Sequence, residues 1–204
     1  MPAEQQYFAQ KPTSDSNPVP FSLRWRDREY TFFTDSGVFS KGALDYGTRA
    51  LLEALPSDIS GRVLDLGCGW GPVGVLLGAQ HPEASIVMAD VNERAVQLAR
   101  DNALHNKVHA QVLQSDGFEH ILGQFDLIAL NPPIRAGKET VYRLFREAAG
   151  HLCPGGALYV VMRKQQGAPS ALKYLASMYA RVETLSIKGG YRVIKCMEGR
   201  EQHV

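Results

Sequence analysis

The chain has 204 residues, 45% hydrophobic and 21% charged, which fits one globular domain with a real core. Its 22 Lys and Arg against 21 Asp and Glu exclude a chain-wide basic footprint, so any surface for nucleic acid must be local. Cys68, Cys153 and Cys196 show no CxxC pairing and the histidines no metal-ligand spacing, which argues against a disulfide framework and against a metal site.

Residues 1–20 mix Gln, Ser, Asn, Lys and Pro without periodicity and read as a surface tail. Nothing in residues 1–6 resembles a leader, and no segment approaches the ~20 apolar residues needed to cross a bilayer, so a cytoplasmic location is expected. Residues 21–26 and 30–33 alternate apolar and polar around Asp27, which predicts a hairpin whose arginines form a solvated face or, alternatively, face RNA. From residue 43 the pattern becomes helical periodicity alternating with short apolar runs. Strands are expected over 62–66, 85–89, 108–114, 125–130, 157–162, 182–187 and 191–196, and helices over 43–55, 72–80, 93–105, 140–152 and 169–179. This alternation predicts an α/β domain over 21–204, with a mostly parallel sheet covered on both faces. The last two strands meet at Gly189-Gly190, which predicts an antiparallel edge hairpin. Ligands of such sheets bind beyond the carboxyl ends of the strands.

Gly67, Gly69, Gly71 and Gly74 follow the first strand of that sheet, and 69–74 satisfies the GxGxxG template of dinucleotide sites. Asp90, about 20 residues on, suits a ribose diol in NAD and S-adenosylmethionine sites alike. Asp65 discriminates, because a carboxylate at the strand tip repels a pyrophosphate but attracts the cationic methionine end of S-adenosylmethionine. Ser115-Asp116-Gly117 ends the third strand; Asp116 could bond an adenine amine, or the segment could be a helix cap. Cys68 in the glycine loop is explained by its small size. After the apolar run 125–130 comes Asn131-Pro132-Pro133-Ile134. Two prolines fix φ and remove donors, so the Asn131 amide and adjacent carbonyls are held as outward acceptors, a clamp for an NH2 group. The alternative is an ordinary turn.

The ordered pair of the Asp65–Gly71 loop and the Asn-Pro-Pro loop resembles the methyltransferase small-domain family. That family includes bacterial small-subunit ribosomal RNA guanine-N2 methyltransferases. The resemblance extends over Gly37-Val38-Phe39-Ser40, Leu44-Asp45-Tyr46-Gly47-Thr48, Asp90-Val91-Asn92, Ser115-Asp116 and 131–138, and covers nearly the whole chain from about Phe32, the 164–169 segment included. It implies a Rossmann-like class I methyltransferase fold with a seven-stranded sheet, and S-adenosylmethionine as cofactor. It further implies that Phe39, Ser40, Asp45 and Gly47 line the cofactor site, together with Val91, Asn92, Cys68, Gly117 and Asn131. The fourth clamp position, often an aromatic in the family, is Ile134, so stacking on a substrate base must be weaker or come from another aromatic. The activity implied is methylation of guanine N2 in small-subunit (16S) ribosomal RNA, with that RNA or the small subunit as partner. Asn131 and the Pro132 carbonyl would then accept the amine hydrogens. Arg135, Lys138, Arg163 and Lys164, with Arg143 and Arg146 nearby, would form a basic rim touching phosphates. Methylation of another RNA base, methylation of a protein glutamine, and a non-catalytic RNA-binding role remain open at this point.

Overall fold

The computed structural model describes residues 15–38, 40 and 42–199. Strands β1 (Val19–Trp25) and β2 (Arg28–Thr34) form the expected hairpin as a separate two-stranded sheet. Strand β1 begins two residues before the predicted one. Tyr30 and Phe32 point into the core while Arg24, Arg26 and Arg28 are exposed, as alternation on a half-buried ribbon requires. Phe32 is fully buried edge-on to Trp70, with ring centroids 4.9 Å apart. Truncating it to Ala should cost ~3–5 kcal/mol.

The main sheet holds β3 (Arg62–Leu66), β4 (Ser85–Asp90), β5 (Ala110–Gln114), β6 (Phe125–Leu130), β7 (Leu152–Arg163), β8 (Tyr179–Lys188) and β9 (Tyr191–Gly199). Their order is β5-β4-β3-β6-β7-β9-β8. β5, β4, β3, β6 and β7 run parallel, and β9 pairs antiparallel with both β7 and β8. The helices are α1 (Tyr46–Ala54), α2 (Pro72–Gln80), α3 (Glu93–His105), α4 (Lys138–Gly150) and α5 (Ala168–Met178). One core packs the hairpin with α1, α2 and α3 on one face of the sheet; a second packs α4 and α5 on the other. This is the arrangement the resemblance implies, a seven-stranded sheet with an antiparallel C-terminal hairpin, and an N-terminal hairpin beside it.

The differences from expectation lie at element ends. Helix α1 begins at Tyr46 rather than residue 43, because Asp45 is its N-cap and its side chain takes the Thr48 amide. Strand β5 starts at Ala110 rather than residue 108, since Lys107 at φ 58° turns the chain out of α3. Strand β7 starts five residues early, at Leu152, and its pairing with β6 is interrupted between Phe125 and Leu127. Leu152 therefore ends no helix. Strand β8 starts at Tyr179 rather than residue 182, its exposed edge hiding the alternation that would mark it.

Candidate active site

A cavity of about 790 Å³ lies along the carboxyl edge of the sheet, from the end of β5 across to the start of β9. On its β3–β5 side the wall is largely backbone. The Gly67 and Cys68 amides donate to the Ala89 carbonyl at 2.8 and 2.9 Å, which folds the loop over the end of β4. Gly67 and Gly69 adopt φ of 69° and 56°, and a Cβ on either would meet nothing within 4 Å. These two glycines thus leave an open bed for a ligand against the main chain. Gly71 and Gly74 serve packing instead: a Cβ on Gly71 would come 3.1 Å from Ala99 Cβ, and one on Gly74 2.4 Å from Met88. Gly71 does not line the cavity.

Two carboxylates face this bed, Asp65 buried and Asp90 partly buried. Asp90 accepts the Gly69 amide on Oδ2 at 2.8 Å and the Asn92 amide on Oδ1 at 2.9 Å. With the Val91 amide also turned to this carboxylate, one of its four lone-pair sites stays open to a ligand hydroxyl. Asp65 accepts the Gly74 amide at 2.9 Å, and burial, reinforced by the nearby Asp90 charge, pushes its carboxyl up to about 7. A cationic ligand group would relieve that strain on the charged form, whereas a pyrophosphate would worsen it. The open glycine bed and the two acids fit S-adenosylmethionine.

Asn92 is fully buried and does not line the cavity; it caps α3 through the Arg94 and Ala95 amides and donates Nδ2 to the Gly37 carbonyl at 3.0 Å. Arg94 reinforces the same tie, donating to the Ser36 carbonyl at 2.6 Å and lying 3.7 Å from buried Asp35. These bonds strap residues 35–37 to the start of α3, and Val38, Ser40 and Asp45 line the cavity. Phe39 lies outside the described residues. Gly47 is buried behind the wall, where its Cβ would touch Tyr191 at 3.0 Å.

Val91, Cys68, Ser115, Asp116 and Gly117 line the cavity as well. Burial raises the Cys68 thiol well above its ordinary range, so no nucleophile is available there. Ser115 Oγ donates to the Gly117 carbonyl and accepts the His120 amide, which is the turn role the sequence also allowed. The Asp116 carboxylate takes a charge-assisted bond from Arg143 at 2.5 Å. It is already committed in part.

The β6 side is built from side chains. Asn131 Nδ2 donates to Thr48 Oγ1 at 3.0 Å, which turns Oδ1 away from Thr48 and leaves it as an acceptor. The Pro132 carbonyl stands next to it and accepts the Ile134 amide at 2.8 Å, so one of its lone pairs is used. Pro133, at φ −74° and ψ 77°, makes this a tight inverse γ-turn. Asn131, Pro132, Pro133, Ile134 and Arg135 all line the cavity.

The basic rim is only partly assembled at the wall. Lys138, Arg163 and Lys164 are exposed outside the lining; Lys138 lies 5.0 Å over the Tyr142 ring and Arg163 5.8 Å over Tyr191. Arg143 lines the cavity but is neutralised by Asp116 and Glu147, and Arg146 donates to the Tyr174 hydroxyl. Thr48 and Tyr191 are lining residues that the sequence reading did not assign. Thr48 could have been found, because it sits three residues after the cap Asp45 and so on the same helix face. Tyr191 follows a glycine turn far along the chain and carries no local signal.

Comparison with known proteins agrees with this geometry. The model of the family described as "Methyltransferase small domain" matches residues 29–195. The chain is 41% identical over 195 residues to the Bacillus subtilis protein YbxB, covering 94% of this chain and 97% of that one. It is 44% identical over 137 residues to ribosomal RNA small subunit methyltransferase C of Mannheimia succiniciproducens, covering 65% of this chain and 41% of the relative. Among solved structures, the T. thermophilus 16S rRNA N2 G1207 methyltransferase, in complex with AdoMet and guanosine, superposes with a TM-score of 0.80 at 30% identity. That match covers 89% of this chain and 50% of the other. The chain spans about half the length, or less, of the ribosomal RNA methyltransferases just named. It belongs to the methyltransferase small domain family of S-adenosylmethionine-dependent methyltransferases.

Proposed function

We propose that residues 21–204 act as one methyltransferase domain that modifies an exocyclic amine of RNA, guanine N2 in small-subunit ribosomal RNA. The observation that carries this reading is the Asn131 amide. With Nδ2 held by Thr48, its Oδ1 and the remaining lone pair of the Pro132 carbonyl offer two acceptors for the two hydrogens of an NH2 group. S-adenosylmethionine, when bound, supplies an electrophilic methyl on a cationic sulfonium. Asp90 would hold its ribose and Asp65 its ammonium, while Gly67 and Gly69 admit it to the main chain. Asn131 and Pro132 aim the amine nitrogen and stabilise positive charge as it grows there, so no base is needed before attack. The extra proton then passes to water. Arg135, Lys138, Arg163 and Lys164 would touch phosphates without reading sequence.

The named relatives support the RNA substrate, and the guanosine in the T. thermophilus complex supports the base. The test is to incubate the purified chain and methyl-labelled S-adenosylmethionine with small ribosomal subunits and with their stripped RNA, then digest to nucleosides. Labelled N2-methylguanosine is expected. Label in N6-methyladenosine, or in a protein glutamine, would overturn the substrate assignment.

A further inference from the structure

A planar base held at Asn131 needs a flat face to lie on, and the clamp itself provides none, since Ile134 is aliphatic. Among the described residues lining the cavity two carry aromatic rings. Trp70 is only 2% exposed, sealed between Phe21 and Phe32. Tyr191 is half-buried and open to the cavity.

The sheet topology puts Tyr191 on the Asn131 side. Asn131 follows β6, Arg163 ends β7, and Tyr191 begins the antiparallel β9 directly opposite Arg163, so all three meet at the same carboxyl edge. The ring also reaches the first turn of α1, where a Cβ on Gly47 would stand 3.0 Å from its Cε1. The next residue, Thr48, is the one that orients Asn131. Tyr46 supports the ring at 5.4 Å, and a Cβ on Gly189 would come 2.6 Å from Tyr46, so the β8–β9 turn braces the pair. Arg163 is exposed and stands 5.8 Å from the Tyr191 centroid, near the outer reach of a cation–π contact, so it can yield the ring to a base.

We propose that Tyr191 is the stacking platform for the substrate base and thereby a determinant of substrate specificity. The inference rests on the nucleobase-methyltransferase reading above. Guanosine monophosphate serves as the probe, titrated into the protein saturated with S-adenosylhomocysteine. Tyr191→Phe keeps the ring and should bind the nucleotide within about twofold of wild type, the change expected when a platform keeps its π face. Tyr191→Leu keeps apolar bulk against Tyr46 without a flat face and should weaken binding roughly 5- to 150-fold, the span for losing one base–aromatic stack. S-adenosylhomocysteine affinity should be unchanged in both variants, which checks that each is folded. Equal nucleotide affinity for Leu and wild type, or an equal loss in Phe and Leu, would overturn the platform. Failure of the broader reading looks different, because a protein-directed enzyme would show no guanosine monophosphate binding in wild type, and the platform would fall with it.

Discussion

The two halves of the cavity are built on different principles. The half at β3, β4 and β5 is main chain wrapped around two fixed carboxylates, Asp65 and Asp90, with amides of Gly67 and Cys68 tied to Ala89 and amides of Gly69 and Asn92 tied to Asp90. The half at β6, β7 and β9 is side chain, where Thr48 orients Asn131 and Tyr191 stands beside them from a different part of the chain. A backbone cradle suits a ligand that never changes, because its geometry follows from local turns and does not depend on rotamers. Side chains drawn from α1, β6 and β9 suit the variable partner, because each can be exchanged without disturbing the sheet. Asn131 stands where the halves meet, and mutations on either side should separate cofactor binding from turnover.

The largest effect is expected at that boundary. Asn131→Ala should lower methyl transfer at least roughly a hundredfold, as loss of one preorganised group acting on the transition state does, while S-adenosylmethionine affinity stays nearly intact. Single-turnover kinetics beside calorimetry measures both. Asp90→Ala acts in the other half: it frees the Gly69 and Asn92 amides and should weaken cofactor binding by ~1.5–3 kcal/mol. Calorimetry finding unchanged affinity would move the ribose contact elsewhere.

Asp65 sharpens the comparison through pH. Its folded pKa of about 7 lies above its ordinary 3.8, so the folded protein without cofactor holds this proton more tightly than the unfolded chain. The contribution to stability is complete below pH ~4 and is lost as pH rises toward 7. Asp65→Asn should therefore raise the melting temperature of the cofactor-free protein at pH 8, narrowing its gap to that at pH 5. The same change should weaken S-adenosylmethionine binding roughly tenfold or more, by removing a charged partner. A variant less stable than wild type at pH 8 would mean that the carboxylate is not a buried cost.

The smallest effect belongs to Thr48. Thr48→Val removes the acceptor that orients Asn131 and should cut kcat about two- to tenfold, the worth of one ordinary hydrogen bond. Thr48→Ser should restore it. Loss of kcat in both would assign Thr48 to packing.

The contrast also explains which parts of the molecule could be read from sequence. Strands 62–66 and 125–130 and helices 72–80 and 93–105 match their observed limits, because buried parallel strands are continuous apolar runs and each helix carries a local start signal, Pro72 at the head of one and the Asn92 cap of the other. That Asp65, Gly67, Gly69 and Asp90 line the cavity is legible for the same reason, each lying within a few residues of a strand end. Gly71 and Asn92 carry the same local pattern, which reads as ligand contact, whereas in the fold they pack and cap. Only the position of Ala99 and Gly37 distinguishes the two roles. Tyr191 was illegible because its relation to Asn131 exists only through the β6-β7-β9 order, across 60 residues of chain and an antiparallel turn. Likewise Asp116, open in the sequence to an adenine amine or a cap, is held by Arg143 of α4, which no local pattern announces.

The division of the cavity is tested most directly by titrating S-adenosylmethionine into Asp90→Ala and Asn131→Ala side by side, under identical buffer and temperature. Asp90→Ala should lose cofactor affinity by roughly one to two orders of magnitude. Asn131→Ala should bind within about twofold of wild type and yet fail to turn over. Equal losses of cofactor affinity in the two variants would contradict the division and make Asn131 part of the scaffold.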